Sequence, residues 1–223
     1  SALFMQAGNR ILKESDGIFS STLNDISPNS KLNLASILRF YTAFADPNNK
    51  EVYSWNKSFP NSIAAFSKED LAFYFGYASE LESLVNRNPN QNFGVAPIPQ
   101  LKNSNFKLTS SRVTGVAILS SSKNFNAAFT AANLMATGDF ASKYATAVAV
   151  APARRDLLSQ KPADSFFPIF YDSALYARSW PDPSEQDTDD IFRRMIDSVI
   201  SNNLTVEGAI SDASAKLNLL LLK

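Results

Sequence analysis

The chain has 223 residues, of which 45% are hydrophobic and 19% charged, as expected for a globular protein with a sizeable core. Its 21 basic and 21 acidic residues cancel, which argues against a nucleic-acid partner because such partners select a basic excess. Histidine and cysteine are both absent, which excludes a disulfide, a thiolate metal site and a Ser-His-Asp triad. We therefore predict no enzyme activity, no metal and no cofactor.

The first part of the chain is predicted to be mainly helical. Residues 1–6 lack the basic region and cleavage signature of a signal peptide, and we expect this chain to be cut from a longer one. Apolar residues recur at helical spacing over 34–45, and the Asp46-Pro47 pair ends that helix. A second, shorter helix is predicted over 62–66.

Short apolar runs in the middle of the chain predict strands that alternate with helices. The runs over 71–75, 93–96 and 113–119 are typical of buried strands, and we expect the first two to share a sheet. A helix over 79–86 follows the first run, and the polar composition of 100–111 predicts a loop. Strands that alternate with helices indicate an α/β fold.

The remainder of the chain is predicted to be mostly helical. Helices are expected over 125–135, 138–150, 166–177, 188–201 and 205–221. Thr188 and Thr205 are the predicted N-caps of the last two helices. The acidic residues near Thr188 lack the glycine and spacing of a calcium-binding loop, so a helix start explains them better than a metal site.

Several stretches, taken in their order along nearly the whole chain, resemble one protein family. These stretches are 53–56, the run that ends in Gly76-Tyr77, 92–99, 115–118 with 122–124, 152–155 and 205–210. They resemble the family 1 extracellular solute-binding proteins, the maltose-binding-protein-like group. The order of the stretches, more than any single one, carries the resemblance.

The resemblance implies an α/β fold of the periplasmic-binding-protein-like kind, type II, in which two lobes close over a solute. It also implies an incomplete molecule, the C-terminal portion, with most of the second lobe and a returning segment of the first. On this basis residues 1–95 form a second-lobe segment and 96–112 form the hinge and a loop. Residues 113–160 return to the first lobe, and 161–223 supply the C-terminal helices of the second.

The resemblance further implies a function in uptake outside the cytoplasm, in the periplasm or at the cell surface. The expected partners are a small solute, a sugar or oligosaccharide, and the permease of an ABC transporter. The membrane would be contacted only through that permease or through a missing N-terminal anchor, such as a lipid. A peptide, a polyamine or a sugar phosphate also stays open as the solute.

Two other functions are compatible with the residues. One is a carboxylate-dependent glycan hydrolase, which needs two carboxyl groups about 5–10 Å apart, and Glu80 with Asp182 is the pair to test. The other is an interaction module on the cell surface without a transport role. Neighbouring permease genes would favour transport over the second alternative.

The residues predicted to bind the solute combine aromatic faces with planar polar groups, as sugar recognition requires. They are Trp55, Asn56, Tyr77, Ser79, Glu80 and Trp180. Tyr77, Ser79 and Glu80 follow a predicted strand, at the end of the sheet where α/β proteins bind ligands. We expect Trp55, Tyr77 and Trp180 to gather at one edge of that sheet. Each also has a plainer interpretation: Trp55 and Trp180 as packing residues, and Ser79 as a helix cap.

Overall fold

The computed structural model describes most of the chain, with short gaps. The described residues are 1–25, 32–102, 104 and 106–222. They divide into two compact units, each built from segments that are distant in sequence. Unit 1 comprises Ser1–Phe59, Gln100–Ser110 and Arg178–Lys223, and unit 2 comprises Pro60–Pro99 and Ser111–Ala177. The assignment of segments to lobes stays a prediction.

Helices dominate both units. The helices are α1 (Ala2–Gln6), α2 (Leu34–Ala43), α3 (Ser62–Ser67), α4 (Leu81–Arg87), α5 (Phe125–Met135), α6 (Gly138–Ala147), α7 (Phe167–Ala174), α8 (Glu185–Ile200) and α9 (Val206–Leu221). The strands are β1 (Leu12–Ser15), β2 (Ile18–Ser21), β3 (Thr109–Ser110) and β4 (Ala177–Arg178). Strand β1 pairs with β2, and β3 pairs with β4. Within the described ranges, no helix is long and apolar enough to cross a bilayer.

The β1–β2 hairpin is a feature that the sequence analysis missed. The two strands pair antiparallel with Ser15 opposite Ile18, so the connection has only Asp16 and Gly17. These two residues have φ angles of 52° and 79°, the left-handed pair that a tight two-residue turn needs. Because an Asp-Gly pair between extended segments is a strong local hairpin signal, the printed sequence already contained this information.

The core of unit 1 forms where α9 packs against α8, α2 and the hairpin. The buried apolar residues there include Leu12, Leu23, Ile37, Leu38, Met195, Ile210 and Leu217. Buried polar side chains join the hairpin to α9. The Ser214 hydroxyl donates to Ser21 Oγ at 3.0 Å, and the Ser21 N–H donates to Asn218 Oδ1 at 2.7 Å. Each of these buried polar groups has a hydrogen-bond partner, so its burial does not carry the penalty of an unsatisfied donor or acceptor.

The predicted helices are confirmed, with ends shifted by a few residues. The largest correction concerns α8, which begins at Glu185 with Ser184 as its N-cap and not at Thr188. Thr188 is buried, and its hydroxyl donates to Asp182 Oδ1 at 2.7 Å. The first turn of α8 carries Glu185 and Asp187, whose negative charge the helix dipole favours. Because this turn is polar, apolar periodicity did not indicate that it is helical.

The predicted strands over 71–75, 93–96 and 113–119 are wrong. These segments belong to unit 2, and none of them pairs with another strand in the part of the chain that the structure describes. Aromatic and β-branched residues favour extended backbone, but a strand forms only where a neighbour supplies hydrogen bonds. Phe73 and Phe75 are 84% and 71% exposed, so these side chains have no apolar layer to pack on.

A chain of aromatic contacts runs through unit 2 instead of a sheet. Phe66 on α3 lies with its ring centroid 5.7 Å from that of Tyr74 and 5.6 Å from that of Phe93. Phe93 in turn lies 5.4 Å from Phe166. These distances are typical of favourable ring pairs. The contacts therefore link α3 to the segment before α4, to the segment around Phe93 and to the start of α7.

Thr205→Ala should lower the free energy of unfolding by about 1 kcal/mol, the usual cost of a lost N-cap. The Thr205 side chain accepts the Gly208 N–H at 3.1 Å at the start of α9, as predicted from the sequence. Urea unfolding followed by tryptophan fluorescence measures the change. Ser211→Ala, at an exposed position of the same helix, is the control and should change stability by less than about 0.5 kcal/mol. Equal losses in both variants would contradict the capping role.

Candidate functional site

The turn that precedes α4 in unit 2 brings an aromatic ring and a carboxylate together. Tyr77 has an extended backbone, and a single 3-10 turn, Ala78–Glu80, connects it to α4. Glu80 Oε2 accepts the Tyr77 N–H at 2.7 Å and the Tyr74 hydroxyl at 3.2 Å. One carboxylate oxygen therefore ties the residues on both sides of Gly76 to the start of the helix.

Gly76 allows this arrangement because it has no side chain. A Cβ atom at this position would lie 2.2 Å from Glu80 Oε2 and 2.5 Å from a ring carbon of Tyr74. Both distances are far below van der Waals contact, so any larger residue would displace the carboxylate or the ring. The sequence places Gly76 at the end of a predicted strand, whereas in the structure Gly76 makes room for Glu80.

Arg112 completes the group of side chains around Tyr77. Its guanidinium carbon lies 4.8 Å from the centroid of the Tyr77 ring, within range for a cation–π interaction. Tyr77 nevertheless stays 39% exposed. Arg112 was not among the predicted site residues, and no local signal could have found it, because it lies far along the sequence in a different segment of unit 2.

The electrostatics of the turn favour a protonated phenol at Tyr74. Its pKa is raised above the usual value, mainly by partial burial and then by the charge and hydrogen bond of Glu80. A phenolate beside the Glu80 carboxylate would be repelled. The turn thus presents a neutral phenol, a carboxylate, a guanidinium and a partly exposed ring, the groups that bind hydroxyl-rich molecules.

Ser79 lies on the exposed side of the same turn. It lines a shallow surface depression together with Glu82, Ser83, Asn86 and Arg87 of α4. Helix α4 has no side-chain hydrogen bond at its N-cap, so the interpretation of Ser79 as a helix cap is wrong. Ser79 itself is exposed to solvent.

Trp55 in unit 1 packs on a helix. Its ring centroid lies 6.2 Å from that of Tyr41 on α2, and its backbone N–H donates to the Phe44 carbonyl at 3.3 Å. These contacts match the plainer interpretation, in which the tryptophan anchors its loop to the helix. The indole is only partly buried, so one part of it remains accessible from solvent.

The side-chain amide of Asn56 stabilises the same loop. Its nitrogen donates to the Tyr53 hydroxyl, and its oxygen accepts the Ser58 N–H at 2.7 Å. Both ends of the amide are therefore used in the turn that follows Trp55. A role in solute binding would require Asn56 to share these hydrogen bonds, and this role stays a prediction.

Trp180 packs beside the core of unit 1. Its ring makes an edge-to-face contact with Phe192 of α8, with the centroids 6.5 Å apart. The structure thus brings Tyr77, Ser79 and Glu80 together in unit 2, while Trp55, Asn56 and Trp180 belong to unit 1. The gathering of Trp55, Tyr77 and Trp180 stays a prediction. In the ranges that the structure describes, no acidic side chains are grouped to hold a metal ion.

Comparison with known proteins gives one family. The family model for bacterial extracellular solute-binding proteins matches residues 1–139, more than half of the chain. The matched range includes the turn around Tyr77 and Glu80, together with Arg112 and Trp55, while Trp180 lies beyond it. No curated protein matches the chain.

Proposed function

Since this chain belongs to the bacterial extracellular solute-binding proteins, we propose that it captures a carbohydrate for uptake by an ABC transporter. Family membership itself implies an extracytoplasmic location, a small-molecule ligand, a transporter partner and a periplasmic-binding-protein-like fold. The family consists of binding proteins and is generally without enzyme activity. The proposal adds the class of solute and the residues that contact it.

The arrangement around Tyr77 is the observation that supports a carbohydrate. The ring is partly exposed, a guanidinium lies over it and a carboxylate is fixed beside it. Sugars present C–H faces that pack on aromatic rings and hydroxyl groups that pair with charged and planar polar groups. We propose that Tyr77 contacts the solute through its ring, that Ser79 and Arg112 donate hydrogen bonds, and that Glu80 belongs to the same site.

The proposal extends to the residues of unit 1. Trp55, Asn56 and Trp180 are proposed as further solute contacts, and closure of two lobes over the solute by a hinge motion is part of the proposal. Partial exposure of the Trp55 and Trp180 rings supports such a contribution. Sharing the solute between lobes would add contact area that neither lobe supplies alone.

The hydrolase alternative gains no support from the carboxylates that it requires. Asp182 Oδ1 accepts the Ser184 N–H at 3.1 Å and the Thr188 hydroxyl at 2.7 Å, so it stabilises the start of α8. Glu80 is likewise engaged by Tyr74 and Tyr77. A catalytic pair needs one carboxyl group free to donate a proton and another free to act as base or nucleophile.

A thermal-shift screen of the 223-residue chain tests the proposal. Maltotriose, cellotriose and xylotriose are the carbohydrate probes, and spermidine, a tripeptide and glucose 6-phosphate represent the other solute classes. At 100 times its dissociation constant a ligand adds about 2.7 kcal/mol of stability. In a chain of this size that stabilisation raises Tm by about 5–11 °C. We expect such a rise with at least one trisaccharide.

Tyr77→Ala should abolish that rise because it removes the stacking surface. Tyr144→Ala is the matched control, since Tyr144 is an exposed tyrosine on α6 of the same unit. It should leave the rise unchanged. Stabilisation by spermidine, the tripeptide or glucose 6-phosphate alone would contradict the carbohydrate class while leaving solute binding intact. No rise with any probe would count against solute binding by this chain.

A further inference from the structure

Glu80 is placed to act on the site through another residue. We infer that Glu80 is a positioning residue, whose carboxylate holds the Tyr77 ring ready for a solute and does not itself contact the solute. This inference rests on the proposed carbohydrate-binding function. It changes the expected role of Glu80, which the sequence suggested as a direct ligand-contacting residue.

The hydrogen bonds of Glu80 connect the packed part of unit 2 to Tyr77. Both donors, the Tyr77 N–H and the Tyr74 hydroxyl, bind the same oxygen, Oε2. The Tyr74 ring is itself held by Phe66, at a centroid distance of 5.7 Å. Glu80 is therefore anchored on the packed side of unit 2 by Tyr74, and it transmits that anchoring to the backbone of Tyr77.

Ordering a side chain on binding costs conformational entropy. A ring that is free to rotate loses conformational entropy when a solute stacks on it, and this loss weakens binding. The bond to Glu80 fixes the Tyr77 backbone, from which the ring projects, and Arg112 lies over the ring itself, so both parts of the residue are held before the solute arrives. Glu80 would thus raise affinity through preorganisation.

The alternative is direct contact through the second carboxylate oxygen. Oε1 of Glu80 has no hydrogen-bond partner among the described residues, so it could accept a sugar hydroxyl. A hydrogen bond to a charged acceptor contributes about 1.5–3 kcal/mol, roughly a 10- to 150-fold effect on affinity. Direct contact therefore predicts a large loss of affinity when the charge is removed. Positioning requires only an acceptor oxygen at the same place, so it predicts a small loss of affinity when the charge alone is removed.

Two substitutions separate these roles. Glu80→Gln keeps a carbonyl oxygen that can accept from Tyr77 and Tyr74 but removes the charge, and Glu80→Ala removes the acceptor altogether. With maltotriose, cellotriose and xylotriose as probes, we expect Glu80→Gln to weaken binding less than about 3-fold and Glu80→Ala about 10-fold or more. Glu14→Ala, an exposed glutamate on β1, is the control and should leave the dissociation constant unchanged. Equal losses of tenfold or more in both Glu80 variants would overturn the inference in favour of direct contact.

A second measurement needs no solute. NMR couplings of the Tyr77 side chain should show one rotamer in the unsubstituted chain and in Glu80→Gln, and averaging between rotamers in Glu80→Ala.

In both Glu80 variants the ultraviolet titration of Tyr74 should move to lower pH, because loss of the Glu80 charge removes part of what raises the pKa of Tyr74. A single Tyr77 rotamer in Glu80→Ala would overturn the inference. If no trisaccharide binds the unsubstituted chain, the proposed function fails, and the rotamer measurement still decides whether Glu80 holds Tyr77.

Discussion

Leu217→Ala should destabilise unit 1 by about 2–5 kcal/mol, the cost of truncating a fully buried leucine. Leu217 is 0% exposed and lies on the face of α9 that packs into the core with Ile210 and Met195. Alanine would remove the transfer free energy of the lost methyl groups and leave a cavity that the neighbouring side chains fill only in part. Net stabilities of domains are small, so this loss is a large fraction of the total.

Urea unfolding followed by tryptophan fluorescence measures this change for unit 1 in particular, since both tryptophans of the chain, Trp55 and Trp180, belong to that unit. Leu219→Ala is the matched control on the same helix, because Leu219 is 65% exposed. It should shift the free energy of unfolding by less than about 0.5 kcal/mol. Similar losses in the two variants would mean that α9 is not packed with Leu217 inward.

Gly76→Ala should weaken trisaccharide binding about tenfold or more while costing little stability. The new Cβ atom would lie 2.2 Å from Glu80 Oε2 and 2.5 Å from a ring carbon of Tyr74, so the flexible glutamate and the Tyr74 ring must shift, which breaks the hydrogen bonds to Glu80 Oε2. Loss of these hydrogen bonds removes roughly 1–3 kcal/mol of interaction, part of which water replaces. We therefore expect the main effect in the site: a disordered Tyr77 ring and a lower pKa of Tyr74.

Titration with maltotriose, cellotriose and xylotriose, together with the ultraviolet titration of Tyr74, measures the effect of Gly76→Ala. Gly94→Ala is the control in the same unit, because a Cβ atom at Gly94 meets no other atom within 4 Å. It should leave both measurements unchanged. An unaltered Tyr74 titration in Gly76→Ala would show that Glu80 stays in place, contrary to the geometry described for the turn.

Several features depended on local sequence, and these could be predicted. Helix periodicity and caps act within a few residues, so α2, α9 and the N-cap at Thr205 followed from the sequence. The hairpin turn at Asp16-Gly17 is equally local, because the Asp-Gly pair is itself the sequence signal for a two-residue turn. The family resemblance was also carried by sequence alone, and the family match over 1–139 confirms it.

Only the tertiary structure decided which extended segments became strands and which side chains met. The residues over 71–75 favour extended backbone, but a strand also needs a neighbouring strand, which composition does not identify. Among the described residues no segment pairs with 71–75. Tyr77 and Glu80 were expected at one site because they follow a predicted strand over 71–75, which the structure does not form. That Glu80 binds the Tyr77 N–H, that Gly76 makes room for it and that Arg112 covers the ring are outcomes of chain packing. Local rules determine backbone preference, whereas contacts between distant residues are determined by the way the whole unit packs.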